Sequence, residues 1–555
     1  MNLPEKLLSN NFGMTLAPIP DGAEALILAG IEERSILYIA SNDRDMARTA
    51  ECFGFFSPDS EILPFPAWDI MPYDRVSPNA EIANQRISTL CRLAKQEGER
   101  KKQQAQQVVF TTINAVLQKL PPKEILQNSS LIIEKGENVS RETLINFLVE
   151  NGYDRVSKAI EAGEFAVRGS IIDIFPSNAE NGIRIDFFGE EVEQIRIFDP
   201  LTQISEGALA LYEILPAGEI IYDEKSLEIF KKNYRKLFGA PHSDELYEAV
   251  TSGVKYPGIE NWLPLFYADL SDIFSYLPQN TLVVYAAQSH ESALERREMI
   301  EEHFESRTSI TTDYRPVPID SFYLDSLGEH GHKGLSFANF SSESTIDSGC
   351  RNITKPGRDI EQLKAYSKPV LISCFSKGSA GHIEKLLKNH ELNVTRFDSW
   401  KNVSRETLAK STNNIGIILL PLESGFETKD FTFISEQDIF GDRFIRSVKK
   451  KKRSENFLEE ANSIDMGELV VHDEHGIGKF AGLETLEVAG LRHDMVKLLY
   501  DGDDKLFVPV ENIDVISRYG SADDNARLDK LGGVAWQERK ARMKERIKIA
   551  ADALL

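Results

Sequence analysis

Cysteine is scarce in this 555-residue chain. Cys52, Cys91, Cys350 and Cys374 lie far apart, and none forms a C-x-x-C pair. That argues against a disulfide framework and the common zinc spacings, and it predicts a reducing, cytoplasmic setting. Positive charge is short as well. Asp and Glu outnumber Lys and Arg 87 to 64, for a net charge of −23. A protein that holds nucleic acid through phosphates usually shows a basic surface, so this balance predicts a chain that mostly binds protein. Long apolar runs are missing too. The most apolar, residues 415–422, is too short to cross a bilayer, and no membrane partner is expected. Residues 1–6 lack the basic stretch and apolar core of a signal peptide.

The motifs of catalysis are also absent. A phosphate-binding loop needs G-x-x-x-x-G-K-[ST], and no such run occurs. Gly476-Ile477-Gly478-Lys479 has the wrong spacing and no hydroxyl residue, so it reads as a turn between strands. His472-Asp473-Glu474-His475 places its histidines three apart, where the helical zinc motif needs four. It too reads as a turn, and no metal is expected. His330-Gly331-His332 falls in a Gly- and Ser-rich loop and is expected to be exposed. No catalytic residue is predicted.

What is present is a chain of alternating character. Its length predicts about three to five domains, at roughly 100–200 residues each. Residues 1–124 read as α/β, with strands at Leu26-Ile27-Leu28, residues 36–40 and residues 108–111, and a helix over 80–95. Residues 125–210 are rich in Ile, Val and Phe between Gly, Asn and Asp turns, which marks a β-rich insertion. Residues 211–335 return to α/β, and 345–445 read as a further α/β domain. A basic linker, 446–464, follows. Residues 465–525 carry short strands with a tight turn at Asp501-Gly502 and predict a small β-barrel. Residues 530–555 turn helical and stop without a C-cap signal, which predicts that the chain is a piece of a longer protein.

Several stretches together resemble one family. FPAWDIMPYDRVSPNAEIANQRISTL (65–90), GEFAVRGSIIDIFP (163–176), RIDFFGEEVEQIRIFDPLTQ (184–203) and GIENWLPLF (258–266) are similar to the N-terminal half of the bacterial transcription-repair coupling factors. GELVVHDEHGIGKFAGLETLEV (467–488) and KLFVPVENIDVISRYG (505–520) resemble the polymerase-interacting domain of that family.

The resemblance implies a degenerate UvrB-like, helicase-like α/β domain with an inserted β-rich domain. It also implies a further α/β domain, a small Tudor/CarD-like barrel, and the helix that leads to a translocase motor. Where UvrB has its ATP loop, Glu24 and Ala25 replace the lysine and the hydroxyl residue. Where UvrB has its metal and water-activating motif, Ala287 and Gln288 stand. No cofactor is therefore implied for this chain. ATP, Mg and double-stranded DNA would belong to the motor. The stretch matching the damage-probing hairpin of UvrB is short, and its aromatics Trp68 and Tyr73 read as packing.

Two partners are implied: UvrA on the inserted domain, through Arg168, Arg184 and Phe188, and the RNA polymerase β subunit on the barrel, through Glu484, Thr485 and Leu486. Alternation places Ile185 and Phe187 inside and leaves Phe188 outside with Arg184 and Asp186. The blander alternatives are a plain salt-bridged face and a core leucine. Two rival functions stay open: a nucleotide-binding UvrB-like DNA remodeller, and a DNA-binding module using residues 449–453 and the final helix.

Overall fold

The computed structural model describes residues 14–31, 35–95, 106–177, 179–241, 244–310, 314–328, 330–353, 363, 366–403, 414–440, 466–472, 475–488, 491–502, 504–509, 515–518, 528–531, 536, 539–540 and 542–543. The chain forms two compact units, one built almost wholly from residues up to 444 and one from the chain after them.

A seven-stranded parallel sheet organises the first unit. Its order is Ile346–Asp347, Met14–Ala17, Lys333–Phe337, Leu282–Tyr285, Ile36–Ala40, Gln107–Thr112 and Glu61–Phe65. Its central strands, ILYIA and LVVY, are buried at every residue. Continuous apolar runs are what a parallel strand covered on both faces requires. The strands come from two stretches of sequence, 14–112 and 282–347, so the sheet carries everything between them as insertions.

One expected strand is a helix. Leu26, Ile27 and Leu28 lie inside the helix Ala23–Ala29, and the first strand is Met14–Ala17. A short apolar run fits a buried helix as well as a buried strand. Gly22 settles the outcome: at φ 81° it turns the chain sharply at the N-cap, and the helix buries Ala23, Ala25, Leu26, Ile27 and Leu28.

The helix Asp43–Phe56 starts where the Asn42 side chain accepts the Asp45 amide N–H. Phe53 meets Phe110 of the parallel sheet at 5.5 Å between ring centroids. Phe56, one turn further along the same buried face, meets Trp400 at 5.1 Å and Phe433 at 6.1 Å. Phe433 belongs to a second, six-stranded sheet of order Arg351–Asn352, Phe426–Glu427, Thr432–Ser435, Val370–Cys374, Asn414–Leu419 and Asn393–Phe397. The two sheets therefore share one apolar core. Ile346–Asp347 falls within the span expected for the further domain, yet it pairs with Met14–Ala17 of the first sheet.

The β-rich insertion leaves and returns through a two-stranded ladder, Leu131–Glu134 against Leu211–Ile214. Beyond it lies a six-stranded sheet of order Ser205–Leu209, Glu191–Phe198, Gly182–Phe188, Ile171–Phe175, Glu164–Arg168 and Asp154–Arg155. The helix Arg141–Glu150, capped by Ser140, sets Leu144 and Leu148 into the core of this sheet.

Trp68 and Tyr73 are packing residues. Tyr73 is fully buried between Phe304 and Tyr323, and Trp68 lies against Phe322.

The second unit is a five-stranded antiparallel sheet of order Lys505–Pro509, Leu491–Leu499, Gly476–Val488, Leu469–His472 and Ile516–Arg518. Gly502, at φ 88°, makes the expected turn. The basic linker 446–464 lies outside the described residues, as does most of the helix expected over 530–555.

One buried ion pair ties the first unit together. The Arg86 guanidinium donates to Glu219 at 2.6 and 3.4 Å and to the Pro66 carbonyl at 2.9 Å, and it stacks 4.3 Å from the Phe65 ring centroid. Glu219 sits just past the neck of the insertion, so the pair fixes where the chain re-enters its parent domain. Arg86→Met should strand a buried carboxylate and cost about 3–5 kcal/mol of stability, measured by urea unfolding. The double variant Arg86→Met/Glu219→Met should recover most of that loss.

Candidate partner-binding surfaces and a closed cleft

On the inserted sheet, alternation sorts the side chains as expected. Ile183, Ile185 and Phe187 are buried, whereas Phe188 is 76% exposed beside the turn at Gly189-Glu190. The face that carries Phe188 is a charged ladder locked by an acid the sequence reading missed. Asp173 is 1% exposed and sits opposite Arg184 in the strand register. Arg184 donates to both its carboxylate oxygens, at 2.6 and 3.0 Å, and to the Ser205 hydroxyl at 3.1 Å. Its guanidinium also stacks 4.9 Å from the Phe198 ring centroid. Phe198 lies directly across Gly182, where any Cβ would collide with the ring.

These contacts hold Arg184 down and raise its pKa, chiefly through the Asp173 hydrogen bonds. Arg168 is freer. Its side chain is half-exposed, donates to the Ser157 carbonyl at 3.2 Å, and stands 3.9 Å from Asp173. Arg196 and Asp186 pair on the same face. Thus Arg168 and Phe188 offer surface, and Arg184 braces it. The signal for Asp173 was available: an acid in the apolar strand IIDIF, on the face opposite Ile172 and Ile174.

The second surface is a strand edge. Lys479 has neighbours on both sides, Leu469 and Leu499, and residues 476–478 pair with Val470–His472. Residues 483–488 pair only with 491–496, so among the described residues their other backbone edge is open. The register shift between Phe480 and Leu483 marks the place where the strand bends out of the doubly paired region. Leu483 is 59% exposed, and Glu484 is tied to Lys497 at 2.7 Å. The side chains of Thr485 and Leu486 lie outside the described residues. Their backbones pair with Asp494 and His493.

In a parallel α/β sheet, ligands settle beyond the carboxyl ends of the strands. Here that position, at the start of the helix Ala23–Ala29, is closed. Glu24 folds back so that its carboxylate accepts the amide N–H groups of Gly22 and of Glu24 itself. Burial, helped by nearby Asp21 and opposed by Arg48, pushes the carboxyl up to about 7. Arg48 bridges Asp21 at 2.6 Å, Asp45 at 3.2 Å and Glu423 at 3.0 Å. Glu423 comes from the six-stranded domain, and its neighbour Leu422 lies 2.5 Å from where a Gly22 Cβ would stand. Ala25 is buried in the helix. Ala287 and Gln288 lie past the strand Leu282–Tyr285, where the Ser41 hydroxyl donates to the Ala287 carbonyl at 2.9 Å and Gln288 is exposed.

Two histidine expectations resolve differently. His330 and His332 are not simply exposed. His330 stacks on Phe274 at 4.0 Å and bonds the Tyr285 hydroxyl at 2.6 Å, while His332 is buried against the Phe274 carbonyl. Their partners are distant in sequence, which is why a Gly- and Ser-rich loop gave no warning. His472 ends the strand Leu469–His472 with its imidazole lowered to about 4, mainly by burial. Gly476 starts the next strand at φ 80°, with Trp536 packed where its Cβ would be.

Comparison with known proteins matches three stretches of the chain. A family model described as the UvrB interaction domain matches residues 131–219, the one described as the MFD, D3 domain matches 363–439, and the CarD-like/TRCF RID domain matches 464–520. The transcription-repair-coupling factor of Rickettsia bellii is 33% identical over 538 residues, covering 93% of this chain and 46% of the relative. That of Rickettsia prowazekii is 35% identical over 526 residues, covering 92% and 45%. The Escherichia coli protein of the same name is 30% identical over 573 residues, covering 97% and 48%. The chain is thus similar over nearly all of its length to transcription-repair-coupling factors. It spans about half the length of the curated relatives it matches. Within that family frame, the Arg184 ladder and Phe188 lie on the first matched domain, Glu423 and Leu422 on the second, and the open edge on the third.

Two outcomes follow from these geometries. Asp173→Asn should leave Arg184 without its counter-charge and cost about 3 kcal/mol in urea unfolding, whereas Arg168→Met should cost under about 1 kcal/mol. Glu24 has a folded pKa above its unfolded value, so folding favours the protonated carboxyl. Its penalty is absent well below pH 4.5, grows as pH rises, and is complete above about pH 7. Glu24→Gln should therefore raise the unfolding midpoint at pH 8 and leave it unchanged near pH 4.

Proposed function

We propose that this chain is the adaptor part of a transcription-repair coupling factor. It holds stalled RNA polymerase by the β subunit and recruits UvrA for nucleotide excision repair. The carrying observation is Phe188, an aromatic side chain left exposed beside a rigid charged ladder. Aromatic and Arg side chains concentrate the energy of protein interfaces, and the ladder keeps the surface set before a partner arrives. UvrA is the partner assigned to this face, with Arg168 and Phe188 in contact and Arg184 beneath.

The polymerase β subunit is assigned to the backbone edge of residues 483–488, with Glu484, Thr485 and Leu486 at its centre. Strand addition takes affinity from main-chain hydrogen bonds and specificity from alternate side chains. The sheet that bears this edge is assigned as a small CarD-like barrel. The chain itself uses no cofactor and performs no catalysis. Glu24 takes the amides that a phosphate would need, and a carboxylate there repels a triphosphate. ATP, Mg and double-stranded DNA belong to the motor of the whole protein, an ATP-dependent translocase, and the setting is the cytoplasm.

The test is capture of purified UvrA and RNA polymerase by the immobilised chain. Phe188→Ala should lose UvrA by at least about tenfold in affinity, a typical hot-spot loss, and keep polymerase. Leu486→Arg should do the reverse. If wild type captures neither, or one variant loses both while folded, the two-surface reading is wrong.

A further inference from the structure

The helix Glu224–Phe238 is basic in a protein of net charge −23. It carries Lys225, Lys231, Lys232, Arg235 and Lys236 against Glu224 and Glu228, and from Ile229 to its end it has no acid. Its surroundings do not neutralise these cations. Among the described residues, Lys225, Lys231, Lys232 and Lys236 make no ion pair or side-chain hydrogen bond, and Arg235 donates to the neutral Tyr247 hydroxyl at 3.2 Å. Cations near a helix C-terminus favour the helix itself, which accounts for Arg235 and Lys236 in the last turn. It does not account for Lys225, which stands in the first turn, where the helix dipole opposes positive charge.

The cations form a row. At 3.6 residues per turn, Lys225, Lys232 and Lys236 fall within an arc of about 40°, with Arg235 beside them. All four are exposed. At a rise of about 1.5 Å per residue the row is roughly 16 Å long, close to five base pairs of duplex at about 3.4 Å each. The other face holds the helix in place. Phe230 and Tyr234 are buried, 4.9 Å from the ring centroids of Phe266 and Tyr247 respectively, and Asp223 caps the helix by accepting the Ser226 amide N–H.

The kind of partner follows from what the row lacks. A protein interface concentrates its energy in aromatic and apolar anchors. From Lys225 to Lys236 the exposed side chains are Glu228 and the four cations, and the exposed Leu237 lies about a third of a turn away. Charge without an anchor suits a phosphate backbone. We propose that this helix lies against the backbone of duplex DNA, with Lys225, Lys232, Arg235 and Lys236 each facing a phosphate. The contact is indifferent to base sequence. The acidic balance of the rest of the chain repels the duplex, so the row sets which side of the first unit faces DNA. This contact is additional to the adaptor role, which leaves DNA to the motor of the whole protein.

The test is fluorescence anisotropy of a labelled duplex titrated with the whole chain over a series of low KCl concentrations. The expected result is binding whose log affinity falls by about 3 to 4 per tenfold rise in salt, at about 0.9 per phosphate neutralised. Lys232→Gln/Arg235→Gln/Lys236→Gln should keep the wild-type circular dichroism, weaken binding at least roughly tenfold and lower that slope by about 2 to 3. Lys232→Arg/Lys236→Arg should bind as wild type, and a duplex of unrelated sequence should bind equally. No binding at the lowest salt, unchanged affinity in the folded triple variant, loss of binding in Lys450→Ala/Lys451→Ala/Lys452→Ala, or tighter binding of poly-L-glutamate than of the duplex would each overturn the proposal; the last would make the row a site for an acidic protein.

Discussion

The structure of the first unit depends on the one buried face of the helix Asp43–Phe56, which carries Met46, Thr49, Cys52, Phe53 and Phe56. Phe53 packs on the parallel sheet, and one turn on Phe56 reaches Trp400 and Phe433 of the six-stranded domain. Each buried aromatic of this kind is worth about 1.5–3 kcal/mol in removed apolar surface. Because both sheets draw on the same core, the second cannot swing away without opening the first. The polar rim follows from this contact. It brings Glu423 to Arg48 and Leu422 over Gly22, and these residues close the position at which a parallel sheet would receive a ligand.

That closure gives the module its character. Leu422 and Glu423 of the six-stranded domain pack beside Gly22 and Arg48 at that position. The inserted sheet stands on a neck made of paired strands, with Arg86 and Glu219 fixing the return path. On its outer face, Asp173 and Phe198 immobilise Arg184 while Phe188 stays in solvent. Partner recognition on such a surface loses little entropy on binding, since the aromatic and charged groups are already placed.

Much of this was legible in the sequence, for identifiable reasons. Period-two alternation in RIDFF separated Ile185 and Phe187 from Phe188 because one sheet face is buried and the other is not. Continuous apolar runs exposed the parallel strands Ile36–Ala40 and Gln107–Thr112. The helix Ala23–Ala29 was not legible: a helix covered on all sides has no polar face, so its apolar run has no period to read. The Asp173 brace and the stacked His330 were also hidden. Each rests on a partner that only the fold brings near, Arg184 across a strand pair and Phe274 more than fifty residues away. The side chains of Thr485 and Leu486 fall outside the described residues, so for that surface only the backbone register and the open edge can be set beside the sequence.

The proposed function requires that the chain bind two protein partners, one on each compact unit, without nucleotide. Sedimentation velocity of the chain mixed with UvrA and RNA polymerase, in the absence of ATP, tests it most directly. A single species heavier than either binary complex, containing all three proteins, is the predicted result. Two binary complexes that never combine, or assembly only when ATP is added, would contradict the account.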